Sequence, residues 1–305
     1  MTVKQCPLCC KVSASHLENV PGHKLNLLYE KLGIYNAIKS EKLDYFGCSF
    51  CDLKFFDPLE AGDEDFYVSL QNFDWYYMNE KEEFRIALNW LGNNHKVLDV
   101  GAGRAAFSAY LDKDNYIGLE FNDAAIRKAN ALGVNLLKES VEEHAKANGK
   151  KYDSVVSFQV LEHLSSPCSF IQGCIDCLKP GGRLILSVPS QDGFASLSSN
   201  HTLDMPPHHV THWSEKTLRE VAIIFGLKCL SIAHEPVAPY HYQWAKSLVI
   251  QSWIKKKLGI KHRLLEDRLV VELIERISNK LSTQLDINLS KIKGHTVVAV
   301  YETAK

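Results

Sequence analysis

Between residues 95 and 190, short apolar runs alternate with longer amphipathic segments, and few folds accept that rhythm. The runs "KVLDVG", "NYIGLEF", "VNLLK", "YDSVVSF" and "GGRLILSV" read as strands, with helices between them starting near Ala105, Asp123, Val141 and Ser166. Strands linked by helical crossovers lie parallel, so the pattern predicts an α/β fold built on a mainly parallel sheet. A polar loop follows from Ser190 to His212, then a helix with Ser214 as N-cap and Gly226 as its stop. Two more strands, "LKCLSIAHE" and "HTVVAVYE", make seven in all, the last antiparallel. Residues 240–294, between these two, read as a helical insert that leaves the sheet intact.

A chain of 305 residues with 46% hydrophobic content can bury one large core and a smaller appendage. Lysine plus arginine at 35 nearly cancel aspartate plus glutamate at 36, so no overall field attracts nucleic acid. The start "MTVKQCPLCC" lacks the plan of a signal peptide, and no apolar run is long enough to span a bilayer. A cytoplasmic location is the expectation. The Pro, Gly and acidic residues of "FFDPLEAGDEDF" mark a boundary. The expected organisation is a small segment at 1–60, a linker or helical cover at 61–94, and the main domain at 95–305.

Gly101, Gly103 and Ala106 fit a relaxed G-x-G-x-x-A loop, in which glycines let the backbone approach a ligand at the end of the first strand. Asp99, two positions earlier, argues against a pyrophosphate. A carboxylate there repels a diphosphate but suits a cofactor carrying an ammonium and a sulfonium, which points to S-adenosylmethionine. Glu120 ends the second strand, where an acid can accept from both ribose hydroxyls.

The segments "VLDVGAGRAAF", "YIGLEFN", "YDSVVSFQVLEHLSSP" and "LKPGGRLILSVPS", in this order, resemble the successive signatures of class I S-adenosylmethionine-dependent methyltransferases. That resemblance implies a Rossmann-like seven-stranded sheet and an enzyme that methylates a small or carrier-linked acceptor. It also implies site roles. Gly101 and Gly103 would face the methionine part of the cofactor, with Asp99 helping to hold that end and Glu120 on the ribose. Glu139 and Ser140 would flank the adenine, although Glu139 equally suits a solvated helix start. Gln159 would lie near the reactive methyl. Ala105 stands where the family usually carries a third glycine. "KESVEEHA" with "LEHL" is similar to the O-methyltransferase of ubiquinone biosynthesis, and "MPPHHVTHWSEKTL" resembles methyltransferases of bacterial sugar and surface-polysaccharide pathways.

Methyl transfer to a weakly acidic hydroxyl needs a base. The candidates are His163 and the trio His208, His209 and His212, all after strand ends where open α/β sheets place ligands. His209 is preferred because Pro206 and Pro207 stiffen its loop and no helical pattern demands a histidine there. His163 reads equally as a structural histidine, and Glu162 either pairs with a substrate hydroxyl or orients a loop. Tyr76 and Tyr77 either close over a ligand or pack the appendage onto the main domain.

Cys6 and Cys9, with Cys48 and Cys51, form two C-x-x-C pairs that together supply the four ligands of a closed, structural zinc site. Cys10 occupies a position where glycine is common. "YFGCSFCDLKFFDP" resembles the second knuckle of zinc-ribbon segments that precede methyltransferase domains in sugar-modifying enzymes. Cys174 and Cys177 share the spacing but sit in an amphipathic stretch and read as core. The basic run "KSLVIQSWIKKKLGIKHRL" makes the insert a packed element, a lid, or a peripheral membrane contact. Nucleic acid is not an expected partner, and nothing in the sequence fixes an oligomeric state.

Overall fold

A computed structural model describes residues 3–70 and 81–305. The amino-terminal part contains β1 (Val3–Gln5), β2 (Val12–Pro21), α1 (Gly22–Glu30), β3 (Lys42–Cys48), β4 (Lys54–Asp57) and α2 (Glu64–Leu70). The main body opens with α3 (Glu82–Leu88) and β5 (Val97–Val100), followed by β6 (Tyr116–Leu119) and α4 (Asp123–Ala131). Then come β7 (Leu136–Leu137), α5 (Val141–Asn148), β8 (Tyr152–Phe158), α6 (Pro167–Cys177) and β9 (Leu178–Pro189). The carboxyl-terminal part holds β10 (Thr211–His212), α7 (Glu215–Phe225), β11 (Lys228–Pro236), α8 (Tyr242–Lys257), α9 (Leu269–Ser282) and β12 (Lys293–Glu302).

Seven strands form the main sheet in the order β11-β12-β9-β8-β5-β6-β7. From β9 through β7 all pairings are parallel, and β12 runs antiparallel to both of its neighbours. This is the expected mixed sheet. Every residue of β5 is buried, as a central strand covered on both faces requires. The helix starts follow from their caps: Asn122 accepts from the Ala125 amide, Ser140 forms a capping box with Glu143, and Ser214 accepts from the Thr217 amide. Gly226, at φ 65, closes α7 in the left-handed conformation.

The crossover after β5 differs from expectation. In place of an α-helix from Ala105 there is a 3-10 turn over Ala106–Tyr110. Ala105 adopts φ 57, which interrupts right-handed winding, and an extended Leu111 ends the turn. Few residues are left before β6 for an α-helix to nucleate. The insert takes the form of an α8–α9 hairpin between β11 and β12, which still pair side by side.

A second sheet has the order β1-β2-β3-β4-β10. Its last member comes from the polar loop that follows β9: Thr211 pairs with Phe55 and His212 with Lys54. The amino-terminal sheet thereby fixes a loop that the main sheet delivers. Further ties reinforce the join, with Tyr29 Oη donating to the carbonyls of Thr202 and Met205 and Glu18 accepting from the amides of Leu264 and Leu265.

Candidate functional site

The parallel strands β5, β6 and β8 bring their carboxyl ends to one edge, and the glycine loop leaves β5 there. Gly101 has φ 78 and Gly103 φ 54, and a side chain on Gly101 would begin 2.4 Å from Val160 Cγ2. Only glycine fits that position. Glu120 accepts from the Gly103 amide at 2.7 Å with one oxygen, and from the amides of Phe121 and Asn122 at 2.8 and 2.9 Å with the other. Its carboxylate therefore ties the glycine loop to the tip of β6. Lone pairs remain for a ribose diol.

Asp99 is buried, and Tyr116 Oη donates to its Oδ2 at 2.8 Å. Its Oδ1 meets no donor among the described residues. Burial pushes the carboxyl up to about 7, against the hydrogen bond from Tyr116. A cationic ligand would remove that cost by giving the orphaned oxygen a charged donor. This fits the ammonium of S-adenosylmethionine.

Gln159 sits just past β8 at φ 57, and its amide Nε2 donates to Glu83 Oε2 at 2.8 Å. Ser187 Oγ donates to the same carboxylate, and Lys81 pairs with its other oxygen at 3.3 Å. Glu83 is buried although it lies in the charged run "KEEF", and nothing in that run marks it as a site residue. Ser140 spends its hydroxyl on the capping box, and Glu139 pairs with the buried His144, whose Nε2 meets Tyr152 Oη at 2.7 Å. Tyr76 and Tyr77 lie outside the described residues.

His163, His208 and His209 come together at the end of β8. Ring centroids lie 4.7 Å apart for His163 and His208, 5.0 Å for His163 and His209, and 4.4 Å for His208 and His209. His163 Nδ1 donates to the His208 carbonyl at 2.6 Å and His208 Nδ1 to the Leu203 carbonyl at 2.8 Å. His209 Nδ1 donates to Asp204 Oδ1 at 3.0 Å. Burial alone would raise Asp204, but His212 and His209 outweigh it and hold the carboxyl well below its usual range. Burial lowers His163 to about 3 and pulls His208 and His209 down as well, so all three rings are neutral near pH 7. His212 stands apart as a strut, accepting from Tyr45 Oη at 2.6 Å through Nδ1 and donating through Nε2 to the Asp204 carbonyl at 2.8 Å. Asp204, five positions before His209, was readable as an acid near a histidine but carried no motif.

The four cysteine sulfurs Cys6, Cys9, Cys48 and Cys51 lie within 4.8 Å of one another, with Cys6–Cys51 at 3.5 Å and Cys9–Cys48 at 3.7 Å. A tetrahedron of Zn–S bonds has edges of about 3.8 Å. The two knuckles repeat one backbone pattern: Cys10 N donates to Cys6 O and Asp52 N to Cys48 O, both at 3.0 Å. Cys10 (φ 58) and Asp52 (φ 67) occupy equivalent left-handed positions. Cys174 and Cys177 are buried core residues of α6.

A depression of about 160 Å³ lined by His95, Asp153, Lys179 and Arg183 lies at the amino-terminal edge of the same strands, away from all of these residues. Strand polarity and chemistry locate the candidate site, not concavity.

A seven-stranded sheet with one antiparallel strand and a glycine loop leaving the interior strand β5 is the architecture of class I S-adenosylmethionine-dependent methyltransferases. The family described as a methyltransferase domain matches residues 75–232, and the chain belongs to that family. It is similar to the ubiquinone biosynthesis O-methyltransferase of Pectobacterium carotovorum, 25% identical over 236 residues that cover 73% of this chain and 89% of that protein. The protein of the same name from Escherichia coli O9:H4 is 29% identical over 159 residues, covering 48% of this chain and 66% of its own length. Among solved structures, a SAM-dependent methyltransferase from Archaeoglobus fulgidus superposes with a TM-score of 0.52 at 18% identity, covering 79% of this chain and all (100%) of that one. That likeness shows the fold.

Proposed function

We propose that this methyltransferase methylates a hydroxyl oxygen of a small or carrier-linked acceptor, seated between the glycine loop and the histidine cluster. One observation carries the reading: Asp204 holds His209 in the tautomer whose Nε2 is the proton acceptor. S-adenosylmethionine supplies a methyl carbon on cationic sulfur; the S–C bond breaks with its electron pair left on sulfur as the O–C bond forms. Asp99, whose Oδ1 lacks a donor among the described residues, would hold the cofactor's ammonium, and Glu120 would hold its ribose. His209 Nε2 takes the hydroxyl proton, and Asp204 stabilises the resulting imidazolium. The positions of Glu139 and Ser140 support only a boundary role near the adenine, because both side chains are engaged elsewhere.

A base backed by a carboxylate suits a weakly acidic alcohol, and this favours a sugar hydroxyl. Two other observations favour a second reading, a phenolic quinol at a membrane surface. The similar proteins are named for ubiquinone biosynthesis. The α8–α9 hairpin also exposes Trp253, Leu269, Leu273 and Ile277 close to a basic run. Mass spectrometry of nucleotide sugars and quinols incubated with the enzyme and the methyl donor separates the two. Methylation on oxygen of either class supports the proposal; methylation only at nitrogen or carbon overturns it. Failure to co-sediment with anionic vesicles would remove the membrane reading.

We further propose that Cys6, Cys9, Cys48 and Cys51 hold a structural zinc ion, which folds the amino-terminal sheet. The edge lengths and the duplicated knuckle support it.

A further inference from the structure

We propose that His163, His208 and His209, with Glu162 beside them, form a second metal site for a divalent cation of the zinc, cobalt or iron type. The first support is tautomer. Each ring donates through Nδ1, two to backbone carbonyls and one to a carboxylate, so each carries its lone pair on Nε2. Metal-ligating histidines are oriented in this way, with the distal N–H bound to a carbonyl or carboxylate that fixes the ring.

The second support is convergence. One ring nitrogen from each histidine lies within 4.8 Å of the other two, and the cluster is largely buried. Zinc–nitrogen bonds would draw them to about 3.4 Å apart in a tetrahedron, a shift of side-chain size. The third support is the orphaned acid. Glu162 is 1% exposed, and neither of its oxygens meets a donor among the described residues. Its Oε1 lies 3.8 Å from His163 Nε2, so the carboxylate borders the place where the nitrogens converge. A buried carboxylate without a donor is costly, and a cation in that gap would remove the cost.

Three imidazoles leave a coordination position open, unlike the closed four-thiolate set, and open sites serve chemistry. An oxygen-bearing ligand would complete it. That this ligand is the acceptor's hydroxyl rests on the methyltransferase reading above; the site itself does not. With the cation bound, the three Nε2 lone pairs are committed to it, so the hydroxyl would be acidified by coordination and its proton would pass to the Glu162 carboxylate beside the site; His209 serves as the base only with the metal position empty.

The test is cobalt titration of the full chain after chelator treatment. Two equivalents are expected. One gives the intense near-ultraviolet band of thiolate ligation, and the other only weak visible bands. His208→Gln should lose the second equivalent and keep the thiolate band, which also reports that the amino-terminal sheet is folded. Should that variant fail to fold, Glu162→Gln serves, with an expected 10- to 100-fold loss of affinity at the second site alone. A single equivalent with thiolate bands in the wild type, or two equivalents retained by both variants, overturns the proposal. Calorimetry with S-adenosylmethionine on the same samples tests the other reading separately, because absent cofactor binding leaves the cobalt count unchanged.

Discussion

The two halves of the proposed site are made in different ways. On the proposed cofactor side, Asp99, Gly101, Gly103 and Glu120 lie on β5, the loop that leaves it and the end of β6, and the geometry is local: a strand end, a left-handed loop and one carboxylate bridging to the next strand. On the histidine side, each part comes from somewhere else. His163 follows β8, the other two histidines sit in the loop after β9, and the amino-terminal sheet anchors that loop through the β4–β10 pairing and the Tyr45–His212 bond. Tyr67, from α2, packs edge-on against His163 with centroids 5.7 Å apart. A half built from one contiguous supersecondary unit should tolerate damage at a distance, and a half assembled from three regions should not.

The harshest way to break this contrast is to remove a thiol ligand. Cys51→Ala should abolish the proposed zinc site and loosen the sheet that carries β4, because a structural zinc contributes on the order of 10 kcal/mol to such a segment. Methyl transfer should fall by about 100-fold or more, while calorimetric affinity for S-adenosylmethionine stays within about 3-fold. Equal loss of both would show that the two halves fold as one unit.

Asp204→Asn acts inside the histidine half without touching the metal knuckle. An amide can present its N–H to His209 and select the wrong tautomer, so kcat should drop by about 100-fold with cofactor affinity unchanged. An unchanged kcat would remove His209 as the base.

What could be read in advance follows the same division. The strands, the cap Ser214, the stop at Gly226 and the glycine loop are short-range features, each set by residues within a turn or two of one another. The cysteine knuckles were legible for the same reason, since each pair is local and only their meeting is not. Glu83 and Asp204 were not marked as site residues because nothing in their own segments distinguishes an acid with long-range partners from a solvated one; the partners are Gln159 and Ser187 in one case and His209 in the other. Tyr45 and Tyr67 needed the docking of the amino-terminal part before their positions meant anything. The 3-10 turn after β5 was missed because apolar spacing does not report the sign of φ at Ala105.

Asp99→Asn sharpens the cofactor half. The folded carboxyl titrates near 7 against an ordinary value of 3.8, so the folded state binds the extra proton between these values. Stability therefore falls as pH rises from about 4 to about 7, and the fall is complete above the folded value. The asparagine variant lacks this term and keeps an acceptor for Tyr116. Its thermal stability without cofactor should gain on the wild type by roughly 1–3 kcal/mol between pH 4 and pH 8. Its affinity for S-adenosylmethionine at pH 8 should drop about 10-fold, the share of one charged hydrogen bond. A parallel pH profile for the two proteins would mean that the Asp99 carboxyl is not held high.

The smallest effect is expected at Ala105, the alanine in the place of a third glycine. Its φ of 57 costs an alanine about 1–2 kcal/mol that a glycine does not pay. Against this, glycine loses about 0.5–1 kcal/mol more backbone entropy on folding, and removing a methyl that is only 5% exposed forfeits about 0.8 kcal/mol of burial. The terms nearly cancel. Ala105→Gly should therefore leave thermal stability within about 1 kcal/mol of the wild type and cofactor affinity within about 2-fold. A stability loss beyond about 2 kcal/mol would show that the methyl's packing with the Phe84, Phe107 and Phe158 cluster outweighs its backbone strain. In that event the loop's shape would depend on a side chain as well as on its glycines, and the cofactor half would be less purely a backbone construction than its hydrogen bonds suggest.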